Sequence, residues 1–97
     1  MQVTVRFFTN LREIIGKKEE AIAFSENEEV TVKTVMKILT EHYGRSFVEY
    51  VYDRRTEKLK SFLQLLVNGK SISTLSGLQT KLKNGDVLAI LPPVSGG

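Results

Sequence analysis

The chain has 97 residues, 41% apolar and 26% charged, enough for one hydrophobic core and too apolar for a disordered segment. It has no cysteine and a single histidine, His42, which excludes a disulfide framework, a cysteine-ligated metal, a cysteine nucleophile and most histidine-based catalysis. The chain is thus short of catalytic parts, and any chemistry it joins is expected at a backbone terminus, a partner or a surface; its net charge is +3.

Val3, Val5 and Phe7 alternate with Thr4, Arg6 and Phe8, which predicts a strand over about residues 2–8. Thr9-Asn10 breaks it. Leu11, Ile14 and Ile15 form a short apolar cluster closed by Gly16, read as a helical turn or structured loop. Ala21-Ile22-Ala23-Phe24 predicts a second strand, paired antiparallel with the first across that long connection. The clearest helix follows. Thr31 is its expected N-cap, Val32, Val35, Met36, Leu39 and Tyr43 its apolar stripe, and Gly44 its stop.

Residues 46–60 give no clear period; Phe47, Val48, Tyr50 and Val51 fit one or two helical turns before a charged run. Phe62–Val67 reads as a dense apolar strand ended by the turn pair Asn68-Gly69. Ile72, Leu75 and Leu78 mark an irregular segment. After Asn84-Gly85-Asp86, the run Val87–Leu91 lacks alternation and suits a central strand buried on both faces. One main helix crossing a mixed sheet of four to five strands is an α+β fold.

The positive charge is uneven. Residues 1–50 carry seven basic and eight acidic groups, residues 51–97 seven and three. Arg54, Arg55, Lys58 and Lys60 form the densest basic stretch, without the interleaved aromatics that single-stranded nucleic acid needs. A solvated face or a docking patch for an acidic partner is the expectation, not nucleic acid. No run approaches the ~20 apolar residues of a membrane helix, and the opening residues lack the basic-then-apolar order of a signal peptide. A cytoplasmic protein without membrane contact is expected.

The chain ends Leu91-Pro92-Pro93-Val94-Ser95-Gly96-Gly97. Two prolines cannot donate ladder hydrogen bonds, so the strand is expected to stop and the tail to leave extended. Six residues from Pro92 reach at most about 20 Å. A Gly-Gly carboxylate has no side chain to clash in a narrow channel. It is also a poor acyl donor until adenylation makes it a mixed anhydride, a task for a separate ATP-using enzyme. One domain over 1–97 is expected, with 1–91 as body and 92–97 as arm.

Three stretches, Phe7–Gly16, Leu66–Gly69 and Asn84–Gly97, together resemble the MoaD-type sulfur carriers, the small subunit of molybdopterin synthase, within the ubiquitin-like β-grasp superfamily. The resemblance implies a β-grasp fold and no cofactor bound by this chain. It implies that the Gly97 carboxylate is adenylated by an E1-like, MoeB-type enzyme using ATP and converted to a thiocarboxylate. It further implies that the tail enters a MoaE-type large subunit, in a heterotetramer, and passes sulfur to a pyranopterin precursor. By the same resemblance Gly96 and Gly97 carry the transfer. Phe8, Leu91, Pro92, Pro93, Val94 and Ser95 match partner-facing positions at the tail, and Arg12 matches a polar anchor beside them.

Each residue also has a plainer reading. Phe8 is either an exposed contact or core beneath the 11–15 segment. Leu91 suits a partly buried strand end. Arg12 could pair with Glu13, and His42 is expected as a surface histidine at a helix end. The positive charge departs from the acidic character common in these carriers. Two function classes stay open: a sulfur carrier for the molybdenum cofactor or another pathway, such as thiamine or tRNA thiolation, and an archaeal-type protein modifier joined to lysines through Gly97.

Overall fold

In the computed structural model, residues 1–92 are described. The expected arm at Pro93, Val94, Ser95, Gly96 and Gly97 lies outside them. Five strands form one mixed sheet: β1 (Gln2–Phe7), β2 (Glu19–Ala23), β3 (Gln64–Val67), β4 (Lys70–Ser71) and β5 (Val87–Leu91). Three helices, α1 (Thr9–Ile15), α2 (Val32–Tyr43) and α3 (Arg45–Val51), and two short 3-10 turns complete it. The strand order is β2-β1-β5-β3-β4. The first and last strands run parallel at the centre, and every other pairing is antiparallel.

Side-chain alternation sets the two faces. Val3, Val5 and Phe7 of β1 point to the helices together with Ile22, Leu65, Val67, Leu88 and Ile90, and all are buried. The stripe Val32, Val35, Met36 and Leu39 of α2 packs onto them, as sequence periodicity predicts. Each such apolar side chain contributes about 1.5–3 kcal/mol on burial. A capping box holds the start of α2: Thr34 N donates to Thr31 Oγ1 at 3.2 Å, and Thr31 N donates to Thr34 Oγ1 at 3.1 Å.

Two readings are settled as helix, and two expectations are corrected. The 9–15 segment is a true helix, so a helix and not a loop joins the two antiparallel strands. Residues 45–51 form the expected helical turns, because Gly44, at φ 66, ends α2 and redirects the chain at once so that Phe47 and Val51 reach the core. Phe62 lies outside β3 and is 51% exposed. Finally, β5 is central but buried on one face only: Leu88 and Ile90 are buried, while Val87, Ala89 and Leu91 are half-buried. The helices cover a single side of the sheet. Asn68-Gly69 makes the predicted two-residue turn, with both residues at positive φ (50 and 85). Among the described residues, no helix is long and apolar enough to cross a membrane.

Candidate functional site

The uncovered face of the sheet carries an apolar strip where the last strand ends. Arg6 of β1 pairs with Ala89 of β5, and Ala89 with Leu66 of β3, so these three stand abreast on that face. One step further on, Leu91 stands opposite Gln64. Phe8 follows Phe7, which pairs with Ile90, and its backbone is still extended at φ −123 and ψ 153. Its ring therefore lies on the side away from Phe7, beside Leu91. Phe8, Leu66, Ala89, Leu91 and Pro92 are all half-buried, and none belongs to the core cluster. Of the two readings of Phe8, the surface one holds.

Cations frame the strip. The Arg6 guanidinium lies 5.8 Å from the centre of the Phe8 ring and that of Arg12 lies 5.9 Å from it. Arg12 is anchored by its Nε donating to the Phe7 carbonyl at 3.2 Å, and not by a pair with Glu13. The anchor follows from α1, whose first turn folds Arg12 back over the end of β1. Arg6 also approaches Glu19 at 3.9 Å, but both side chains are more than half exposed, and such a pair holds little energy. Each exposed cation–π contact contributes about 0.5–1 kcal/mol, enough to orient the ring without burying it.

This arrangement offers shape, apolar area and positive charge, with no nucleophile–base pair. His42, the single histidine, is spent elsewhere: its Nδ1 is 3.4 Å from Glu20 Oε2, and Glu20 Oε1 also accepts from Lys17 Nζ at 3.2 Å and from the Tyr43 hydroxyl. Among the described residues, no three His, Cys, Asp or Glu groups converge as metal ligands would.

A sequence model of the ThiS family matches residues 5–97. The chain belongs to the ThiS family. It is 31% identical to small archaeal modifier protein 3 of Haloferax volcanii over 97 residues, 100% of both chains. It is 30% identical to the sulfur carrier protein CysO of Mycobacterium tuberculosis, again over 97 residues and 100% of each. The solution structure of small archaeal modifier protein 1 from Methanosarcina acetivorans superposes with a TM-score of 0.82 at 36% identity, covering 99% of this chain and 96% of that one. A Pyrococcus furiosus structure titled molybdopterin converting factor, subunit 1, gives 0.73 at 26% identity, covering 97% and 99%. The ubiquitin-like β-grasp fold and membership of the sulfur-carrier and ubiquitin-like family are thereby established.

In this ThiS-family chain the structure brings four of the sequence-predicted residues, Phe8, Arg12, Leu91 and Pro92, to one spot. Pro93, Val94, Ser95, Gly96 and Gly97 lie outside the described residues. Sequence reading missed Arg6, Leu66 and Ala89. Arg6 was within reach, since it shares a strand face with Phe8 two residues on; Leu66 and Ala89 needed the strand register.

Proposed function

We propose that this chain is a sulfur carrier whose Gly97 carboxylate is the working group and whose open sheet face docks the enzymes that act on it. One observation carries the reading: a half-exposed apolar strip flanked by Arg6 and Arg12 lies where the described residues end, at Leu91-Pro92, five residues before Gly97 in the sequence. Half-buried apolar residues outside the core cost solvation unless a partner covers them. An E1-like, MoeB-type enzyme would supply ATP. The Gly97 carboxylate oxygen attacks the α-phosphorus, pyrophosphate leaves, and a sulfide-level nucleophile then displaces AMP to leave a thiocarboxylate. The tail residues Pro92, Pro93, Val94 and Ser95 span the distance to the enzyme's reaction centre. The recipient is a MoaE-type large subunit, in a heterotetramer of molybdopterin synthase, where sulfur passes to the pyranopterin precursor. The likeness to the Pyrococcus structure supports this choice.

The full-length similarity to an archaeal modifier favours a second reading, in which the same activated Gly97 is joined to lysines of other proteins. Adenylation is common to both. The test is intact-mass spectrometry of the chain incubated with ATP, an E1-like enzyme and a sulfur donor. The expected product gains the mass difference between sulfur and oxygen, and failure with every E1-like partner overturns the carrier reading. Tryptic digests of cell protein separate them. The chain has no Lys or Arg after Lys83, so conjugation leaves the remnant Asn84–Gly97 on target lysines, whereas carriage alone leaves none.

A further inference from the structure

Phe7 and Leu11 are both fully buried, with only residues 8–10 between them. Within that span the chain must leave an extended strand, turn, and begin a helix that lies back over the strand end. The turn falls on Thr9, at φ 48, between Phe8 at φ −123 and the rest of α1. Left-handed backbone suits glycine, and asparagine next, because a Cβ there crowds the following carbonyl. Among the described residues three non-glycine positions have positive φ: Thr9, Glu57 and Asn68. Asn68 sits in a two-residue turn that requires it, and Glu57 is unbranched at Cβ. Thr9 is β-branched, which makes its turn the most strained of the three.

Nothing local holds this turn. The Thr9 side chain is exposed, so it has no packing of its own. The N-cap of α1 makes no side-chain hydrogen bond, unlike that of α2, where Thr31 accepts from Thr34 N. The first helical bond, from Arg12 N to the Phe8 carbonyl, is long at 3.4 Å. The constraint comes from either side: Leu11 sits in the core, and Arg12 Nε donates to the Phe7 carbonyl at 3.2 Å. Such strain persists only where its surroundings over-determine it. Asn10, better suited to left-handed backbone, stands one position too late. A turn there would re-register α1 by one residue, a rotation of about 100°, taking Leu11 out of the core and Arg12 away from Phe8. The turn at Thr9 instead leaves the Phe8 ring on the open face, 5.9 Å from the Arg12 guanidinium.

We propose that Thr9 is a positioning residue of the docking face: its left-handed turn holds Phe8 and Arg12 as a preformed pair for the enzyme that activates Gly97. This role rests on the reading of the open face as the surface which that enzyme grips. Thr9 acts through Phe8 and Arg12 and takes no part in bond-making at Gly97. A preformed pair spares the complex the cost of ordering an aromatic ring and a long guanidinium side chain. Loss of the turn is therefore expected in KM and not in kcat.

Three substitutions in the full chain grade the turn. Asparagine tolerates left-handed backbone, and glycine permits it without enforcing it. Proline, fixed near about −65°, forbids it while suiting an extended Phe8 before it. Thr9→Asn is expected to raise the melting temperature by about 4 °C or more and to keep the parent's KM in ATP–pyrophosphate exchange with an E1-like enzyme. Thr9→Gly is expected to raise KM about threefold and Thr9→Pro about tenfold or more, with kcat within about twofold throughout. In NMR spectra of the free chain, the ring-current shifts of the Arg12 side-chain protons should persist in Thr9→Asn, shrink in Thr9→Gly and vanish in Thr9→Pro. Parental KM or parental Arg12 shifts in a folded Thr9→Pro chain overturn the proposal, as does an equal rise in KM for Thr9→Asn. If Thr9→Pro does not fold, Thr9→Gly decides: parental KM or parental shifts overturn it. A parent chain that no E1-like enzyme adenylates removes the reading of the docking face instead. The Arg12 shifts, measured without any enzyme, then still decide whether Thr9 sets the pair.

Discussion

The two faces of the sheet are made by the same strands and do opposite work. Phe7, Leu88 and Ile90 face the helices with no exposed surface, while their direct neighbours Phe8, Ala89 and Leu91 face outward and are half-buried. Residue by residue the chain alternates between a group that stabilises the fold and a group left free to bind. Substitutions one position apart should therefore separate stability from function.

The largest effect is expected beyond both faces. Deleting Gly97, or replacing Gly96 by Trp, should abolish adenylation in a pyrophosphate-release assay while leaving the melting temperature unchanged, because the buried core ends at Ile90. A large drop in melting temperature would instead make the terminal segment part of the core. Next is the covered face. Phe7→Ala should cost about 3–5 kcal/mol in denaturant unfolding, since Phe7 is fully buried and its ring meets Tyr43 edge-on, with ring centres 6.1 Å apart.

The open face should reverse that pattern. Leu66→Asp is expected to change stability by less than about 1 kcal/mol and to weaken binding of an activating enzyme by about tenfold or more, read by calorimetry. If stability and binding fell together, the division between faces would fail. The smallest effect concerns pH. Burial raises the folded-state pKa of Tyr52 above its ordinary value of 10.0, so the folded state holds the phenol proton more tightly than the unfolded one. Its contribution to stability is complete below pH 10 and falls as pH rises through the raised value. Comparing Tyr52→Phe with the parent chain in alkaline unfolding should show a shallower decline for the variant.

Much of the covered face was legible in the residues. The stripe and Thr31 cap of α2, the alternation of β1 and the Asn68-Gly69 turn are local patterns, and the structure reproduces each. The helix α1 was harder because only Leu11 of its apolar residues is fully buried, while Ile14 is 41% exposed, which blurs the period. For β5 the pattern misled: an unbroken apolar run looks two-sided, yet its outward residues are only half-buried among the described residues. That mismatch marks the candidate docking face. Phe62 was drawn into the strand by its apolar neighbours, and only its exposure showed otherwise.

By itself the sequence determined the main helix, its caps, the principal strands and the Gly-Gly terminus with its chemical limits, because all of these depend on contacts a few residues apart. Tertiary structure alone decided that β1 and β5 lie parallel and that Arg6 and Arg12 flank Phe8 beside Leu91. Those arrangements join residues distant along the chain. Their pairing is set by how the sheet closes under the helices, which no local period encodes.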